Sequence, residues 1–379
     1  MHHDPLAAYD ALTDGRRCFL RVDALCDAAA QRFPGLVPGA DELLADSRRA
    51  LKDKLGVEKA QGEFVAAVLS DPAAGRHLCH AMLLPREESA RLAAEFEAKG
   101  ELSLPGARLH RQGKAAVVTM CNPRHLNAED ETTLGGLETA VDVAMLDRAS
   151  EICVLRGGEV AHPRYAGGRV FGAGINLTHL YQGTIGYLWY LVRDLGLVNK
   201  LYRGLARPDV DSEVDGIEKP WLAAVERFAI GGHCQILLAV DHVIAAQGAY
   251  LTLPARKEGI IPGAANLRLA RFVGARMARQ AILAERRLDG DSPEGRLICD
   301  EIVPAAEMDA AIERAVERFT GSGVVSAAGN RRALRIGEEP LDSFRRYMAV
   351  YAREQAECHF SPALVANLER HWDAERRRG

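Results

Sequence analysis

Two glycine-bearing turns hold the residues of this chain best suited to chemistry. The first lies in "FGAGINLTHL", Phe171 to Leu180, where Gly172 and Gly174 stand between an apolar run and a helix-compatible one. The second lies in "FAIGGHCQILLAVD", where Gly231 and Gly232 occupy the same kind of place. A turn that opens a helix leaves backbone N–H groups unpaired, and the helix dipole adds partial positive charge, so each turn favours a negative group. Two such amides from separate turns make an oxyanion hole. A dinucleotide fold asks for GxGxxG, but Leu177 stands where the third glycine belongs, and Asp194, about 20 residues on, falls in a helical stretch. A phosphate loop asks for Gly-Lys-Ser/Thr, and here Ile175, Asn176 and Leu177 follow the glycines. Both nucleotide readings fail on those residues.

Composition narrows the rest. A chain of 379 residues with 48% hydrophobic content can bury a substantial core, in one large or two modest domains. With 48 basic against 52 acidic residues and a formal charge of −4, nothing in bulk electrostatics recommends nucleic acid or an anionic membrane as a partner. No segment approaches the roughly 18 uninterrupted apolar residues of a membrane span. Met1 to Arg17 carries no apolar signal core, so a cytoplasmic location is expected. Cys18, Cys26, Cys79, Cys121, Cys153, Cys234, Cys299 and Cys358 form no CxxC pair and sit in apolar surroundings, which predicts reduced, buried thiols. "HLCH", His77 to His80, lacks the carboxylate or second cysteine pair that would complete a metal site, and no metal is expected.

The elements that must position the two turns read as α/β. Residues 1–104 show helical periodicity only and predict a helical N-terminal domain. Strands are expected over "KAAVVTMCNP" and "EICVLRGG", with a helix between them inside Glu129 to Asp147, which is a β–α–β unit. Further strands are expected over "PWLAAVERFAI" (Pro220 to Ile230) and "DHVIAAQ" (Asp241 to Gln247). The core spans 105–305 with an inserted segment near 181–217, which opens as an aromatic amphipathic helix whose Tyr187, Trp189 and Tyr190 are expected in the core. Residues 306–379 return to helices, and the arginine run Arg376 to Arg378 reads as a solvated helix end.

Four blocks in order, "NPRHLNA", "FGAGINL", "KPWLAAVERFAIGGHCQILLAVDHVIAA" and "GIIPGAANLRLARFVG", resemble the crotonase (enoyl-CoA hydratase/isomerase) superfamily over roughly residues 105 to 305. The resemblance implies a ββα superhelix core and a homo-oligomer, a trimer or a dimer of trimers. It also implies that the amides of Ile175 and Gly232 polarise the thioester carbonyl of an acyl-CoA. Hydratases of that family use two glutamates, and their places are held here by Gln235 and Ala255. An amide is not a base and a methyl group is inert, so water addition is not expected.

The altered positions, the helical front and the aromatic insertion resemble one branch of the family over nearly the whole chain. That branch consists of cofactor-independent dioxygenases that turn (3,5-dihydroxyphenyl)acetyl-CoA and dioxygen into 3,5-dihydroxyphenylglyoxylate and CoA, in making dihydroxyphenylglycine for nonribosomal peptide antibiotics. The likeness implies an enolate held by Ile175 and Gly232 that reacts directly with dioxygen, with no metal, flavin or other cofactor. Glu129, Arg193 and Gln235 are then the candidates for binding ring hydroxyls, which are costly to leave unpaired. Each also reads structurally, as a capping carboxylate, a solvated helix face and a packed helix residue respectively. Ile175, Ile236 and Leu237 are expected to line a small dioxygen cavity, and backbone near Asn127 and Ala173 to flank the nucleotide arm. Another acyl-CoA isomerase or thioester hydrolase, or a non-catalytic acyl-CoA binder, is the alternative; oxygen consumption separates them.

Overall fold

Runs such as Ala115–Met120 and Ile152–Gly157 are buried at nearly every position, the pattern of strands covered on both faces. In the computed structural model, which describes residues 3–374, helices come first: α1 (Pro5–Leu12), α2 (Val22–Arg32), α3 (Ala40–Ser47), α4 (Lys59–Ser70), α5 (Pro72–Leu83) and α6 (Ser89–Lys99). Asp4 and Asp71 cap α1 and α5 just ahead of a proline. Gly100, at φ 73°, ends α6 in the left-handed conformation a C-terminal cap needs. A meander of β1 (Glu101–Leu104), β2 (Ala107–Gln112) and β3 (Ala115–Met120) follows, and α7 (Leu134–Leu146) crosses to β4 (Ile152–Gly157), parallel to β3.

The inserted stretch holds α8 (Leu177–Gln182), α9 (Leu188–Val192), a wide π-helical turn over Arg193–Val198, and α10 (Asn199–Arg203). Then come β5 (Trp221–Val225), β6 (Phe228–Ile230), α11 (Gly232–Leu237), β7 (His242–Ala246), β8 (Tyr250–Thr252), α12 (Ala255–Glu258), α13 (Ala265–Leu283), β9 (Leu288–Asp289) and β10 (Glu301–Val303). The chain closes with α14 (Met308–Thr320), α15 (Val325–Glu338), α16 (Leu341–His359) and α17 (Pro362–Trp372); Arg376 to Arg378 lie outside the described residues. One sheet runs β1-β2-β3-β4-β5-β7-β10 and a smaller one β6-β8-β9.

The strand expected over Pro220 to Ile230 is in fact two strands in two sheets. Arg227, at φ 66°, breaks the run, and β6 leaves β5 to pair with β8. This break serves the site: Gly172 N–H bonds the Phe228 carbonyl and Ile230 N–H returns to the Gly172 carbonyl, so the two glycine turns lie side by side.

The apolar core is continuous from Tyr9 and Val22 in the front helices to Phe344 and Met348 in the tail. Helix α16 lies along α4 at Gly62, where a Cβ would sit 3.0 Å from Ala356 Cβ. The Tyr187 hydroxyl donates to the Ala352 carbonyl on the same helix. Among the described residues no helix is long and apolar enough to cross a membrane. All eight cysteines are free, but the expectation of burial fails for Cys18, which is exposed, and in part for Cys121 and Cys358.

Buried charge also ties the tail to the core. Glu339 receives Arg268 at 2.9 Å, Arg271 at 2.8 Å and Arg203 at 3.2 Å, with Glu339 and Arg268 about 1% exposed. Burial alone would raise the Glu339 carboxyl, but the guanidinium groups outweigh it and hold it at about 2. A depressed folded value stabilises the fold above the unfolded carboxylate range, near 4.3, and the contribution is lost as pH falls through the folded value. Glu339→Gln is expected to cost about 3–5 kcal/mol, because it leaves buried cations unpaired. Urea unfolding at neutral pH measures it, and a loss below about 1 kcal/mol would show that the cluster is not holding the tail.

Candidate active site

The first turn is pinned from three sides. Asn127, at φ 57°, donates from its side-chain amide to the carbonyls of Gly158 (2.9 Å) and Val170 (2.7 Å) and accepts from Asn122 N–H (2.9 Å). Its role is to hold the loop ahead of Glu129. Glu129 N–H then bonds the Gly174 carbonyl, and Asn176 N–H bonds the Glu129 carbonyl, each at 2.8 Å. In such a parallel bridge the residue between the two bonded neighbours points its own amide the other way, and that residue is Ile175. Asn176 caps α8 at His179 N–H and donates to Asp130 at 2.9 Å, which fixes the turn's far side.

The glycines are required by space. Gly174, at φ 80°, would place a Cβ 3.0 Å from the Ile230 carbonyl and 3.3 Å from Gly232 N, and a Cβ on Gly172 would strike the His233 ring at 2.2 Å. Gly174 N–H donates to His233 Nδ1 at 3.0 Å, which puts the ring proton on Nε2. Burial drives His233 down to about 4, with Glu129 opposing and Arg193 adding, so the ring is neutral at ordinary pH. In the second turn Gly231 N–H bonds the Thr252 carbonyl, and Gly232 begins α11. Among the described residues the N–H groups of Ile175 and Gly232 carry no hydrogen bond, while those of Gly174, Asn176 and Gly231 are all committed.

Arg193 links the remaining predicted residues. Its Nε donates to both Glu129 oxygens at 3.0 Å, Nη1 to Gln235 Oε1 at 2.9 Å and to Asp194 at 3.2 Å, and Nη2 to the Gly232 carbonyl at 2.7 Å. Arg193, Glu129 and Asp194 are each 2% exposed, so Arg193 is no solvated helix face. Burial would lower Arg193, but Glu129 and Asp194 outweigh it and the net direction is up. Burial raises Asp194 against the pull of Arg193 and of the Tyr351 hydroxyl beside it. A Cβ on Gly232 would sit 2.7 Å from Glu129 Oε2 and 2.8 Å from Arg193 Nη2, and one on Gly263 2.4 Å from Gln235 Oε1. Glycine at both places lets the polar cluster lie directly on the backbone.

Two spaces meet here. An inner cavity of about 30 Å³ is walled by Ile175, Trp189, Arg193, Gly232, Gln235 and Tyr351, with Tyr190 and Ala255 adjoining. That volume is about one water's share of the liquid, so an aryl ring enters only with movement of side chains at the walls. An outer groove of about 400 Å³, mostly apolar, runs past Arg124, Ala173, Lys257 and Trp372. Trp189 and Tyr190, expected in the core, do wall the inner cavity, whereas Tyr187 is fully buried away from it. Ile236 and Leu237 are corrections of the opposite kind: α11 gives the cavity Gly232 and Gln235, three residues apart, and turns those two into the core. Asp194, His233, Glu258, Gly263 and Tyr351 were not foreseen as site residues. Only Glu258 left a sequence signal, standing one helical turn beyond Ala255.

The enoyl-CoA hydratase/isomerase family model matches residues 110–330. A (3,5-dihydroxyphenyl)acetyl-CoA 1,2-dioxygenase of Amycolatopsis orientalis is 50% identical over 349 residues, covering 92% of this chain and 80% of that one. A short-chain-enoyl-CoA hydratase of Clostridium acetobutylicum is 28% identical over 239 residues, covering 62% of this chain and 83% of that protein. Among solved structures, an enoyl-CoA hydratase from Mycobacterium avium subsp. paratuberculosis superposes with a TM-score of 0.58 at 21% identity, covering 70% of this chain and 98% of that one, a likeness of fold. With paired amides at the expected turns, the matching fold and these relatives, the chain belongs to the enoyl-CoA hydratase/isomerase family.

Proposed function

We infer that the chain is a (3,5-dihydroxyphenyl)acetyl-CoA 1,2-dioxygenase, which converts that thioester and dioxygen to 3,5-dihydroxyphenylglyoxylate and CoA. The observation that carries the reading is the pair of uncommitted amides, Ile175 and Gly232, opening on a cavity whose polar wall includes Arg193, Asp194 and Gln235, with Glu129 held against Arg193. In this reading the thioester oxygen sits between the two amides, the CoA arm lies in the outer groove past Ala173, and the ring hydroxyls meet Glu129, Arg193 and Gln235. The α-hydrogen is acidified by both ring and carbonyl, and the amides stabilise the enolate formed when it leaves. The enolate passes electrons to dioxygen. The resulting α-peroxide attacks the thioester carbon, expels CoA, and collapses with loss of the second α-hydrogen to the α-keto acid. Gln235 and Ala255 cannot activate water as the hydratases' glutamates do, and in this reading release of CoA falls to the peroxide. The family resemblance supports a homo-oligomer of trimers or paired trimers, and the need for a CoA thioester supports a cytoplasmic setting.

Labelled dioxygen tests the mechanism. Intramolecular attack leaves the two atoms of one dioxygen on adjacent carbons, so product made under labelled gas is expected to carry label in its carboxylate, with the keto oxygen read before it exchanges with water. Carboxylate oxygen drawn from solvent would mean hydrolytic release of CoA, and the 1,2-dioxygenase reading would fall.

A further inference from the structure

We propose that Glu258 is the base that removes the α-proton of the bound thioester, an inference that rests on the substrate placement above. The argument begins with where the two spaces join. Among the described residues only Ile175 and Glu258 line both the outer groove and the inner cavity, so the two flank the neck between them. Ile175 contributes the amide that faces the thioester oxygen, and the α-carbon is one bond from that carbonyl. The residue across the neck is therefore placed beside the carbon that must lose a proton.

The competing carboxylates are already engaged. Glu129 gives both oxygens to Arg193, and Asp194 lies between Arg193 and Tyr351. Among the described residues the Glu258 carboxylate has neither hydrogen bond nor ion pair. It closes α12, three residues after Ala255, so the two share one side of that turn. The family's hydratases carry a carboxylate at the Ala255 place; here the only carboxylate of that turn is Glu258, at the neck. Its surroundings suit the task. Burial and then the Glu285 carboxylate push Glu258 up to about 7, with Lys257 partly offsetting them, and a base near neutrality is the one best matched to proton abstraction at physiological pH.

The proton inventory closes. The Cα–H bond breaks, its electron pair enters the enolate, and the proton passes to a Glu258 oxygen. Dioxygen takes electrons from the enolate and becomes the α-peroxide; when that attacks the carbonyl carbon, the C–S bond breaks and the departing thiolate takes the proton from Glu258. The second α-hydrogen leaves as a proton when the O–O bond breaks, giving the keto group.

The test is deuterium uptake at the α-carbon of (3,5-dihydroxyphenyl)acetyl-CoA in D2O without oxygen, read by mass spectrometry, beside oxygen uptake in air. E258Q is expected to lower both by at least about a hundredfold, while the dissociation constant for the thioester stays within about threefold of wild type. E258D, which keeps the charge but withdraws it by one methylene, is expected to lie between and guards against a glutamine variant that fails to fold. E258Q or E258D matching wild type in either rate overturns the assignment. Wild-type protein that exchanges deuterium but consumes no oxygen overturns the dioxygenase reading and leaves the base in place.

Discussion

Arg193→Lys is expected to lower kcat/KM for oxygen consumption by about 10²–10³-fold, the range seen when a preorganised donor at a charge-developing centre is lost. The guanidinium reaches Glu129, Gln235, Asp194 and the Gly232 carbonyl at once, between 2.7 and 3.2 Å. An ammonium has three donors on a single point and no planar fork, so it can satisfy only part of that set. The bond to the Gly232 carbonyl fixes the plane of the peptide that follows, and the bond to Gln235 leaves that side chain's NH2 to face the cavity. Charge is conserved, so the fold is expected to survive. Arg193→Met, in contrast, leaves Glu129 and Asp194 buried without a cation and should cost about 3–5 kcal/mol. Oxygen uptake and urea unfolding measured on both variants separate the two effects, and a lysine variant within threefold of wild-type activity would refute the positioning role.

Gly232→Ala is expected to reduce kcat by a similar ~10²–10³-fold with little change in KM. The backbone there is helical and would accept alanine, so the obstacle is space: the new methyl would lie 2.7 Å from Glu129 Oε2 and 2.8 Å from Arg193 Nη2. The turn must shift, and its amide moves off the oxyanion. An interaction made mainly in the transition state appears in kcat, not in substrate binding. A variant that lost affinity and kept its turnover number would place Gly232 in ground-state binding instead.

How much of this was legible in the sequence follows from range. The turns at Gly174 and Gly231–Gly232 could be read because a glycine requirement is local, and Ile175 and Gly232 follow from them by position. Arg193 could be named but not placed: a helical face with Asp194 beside it looks solvated until Glu129, 64 residues earlier, is brought against it. The split of Pro220–Ile230 was hidden because one residue, Arg227, adopts a left-handed conformation that composition does not announce. Ile236 and Leu237 were assigned to the cavity by nearness in sequence, yet the helix that begins at Gly232 sets a three-residue spacing that selects Gln235. Tyr351 was out of reach entirely, since nothing near it in the chain mentions Asp194.

That last residue bears on how the protein is made. Tyr351 comes from α16, which leaves the ribosome after every other wall of the inner cavity. At ordinary elongation rates roughly ten seconds separate the synthesis of Gln235 from that of Tyr351. During that interval Asp194 lacks the Tyr351 hydroxyl, and α4 waits for the helix that will pack along it at Gly62. The inner cavity is therefore walled in full only when α16 docks, and a chain released before that helix is made lacks the Tyr351 wall that shields an enolate from water.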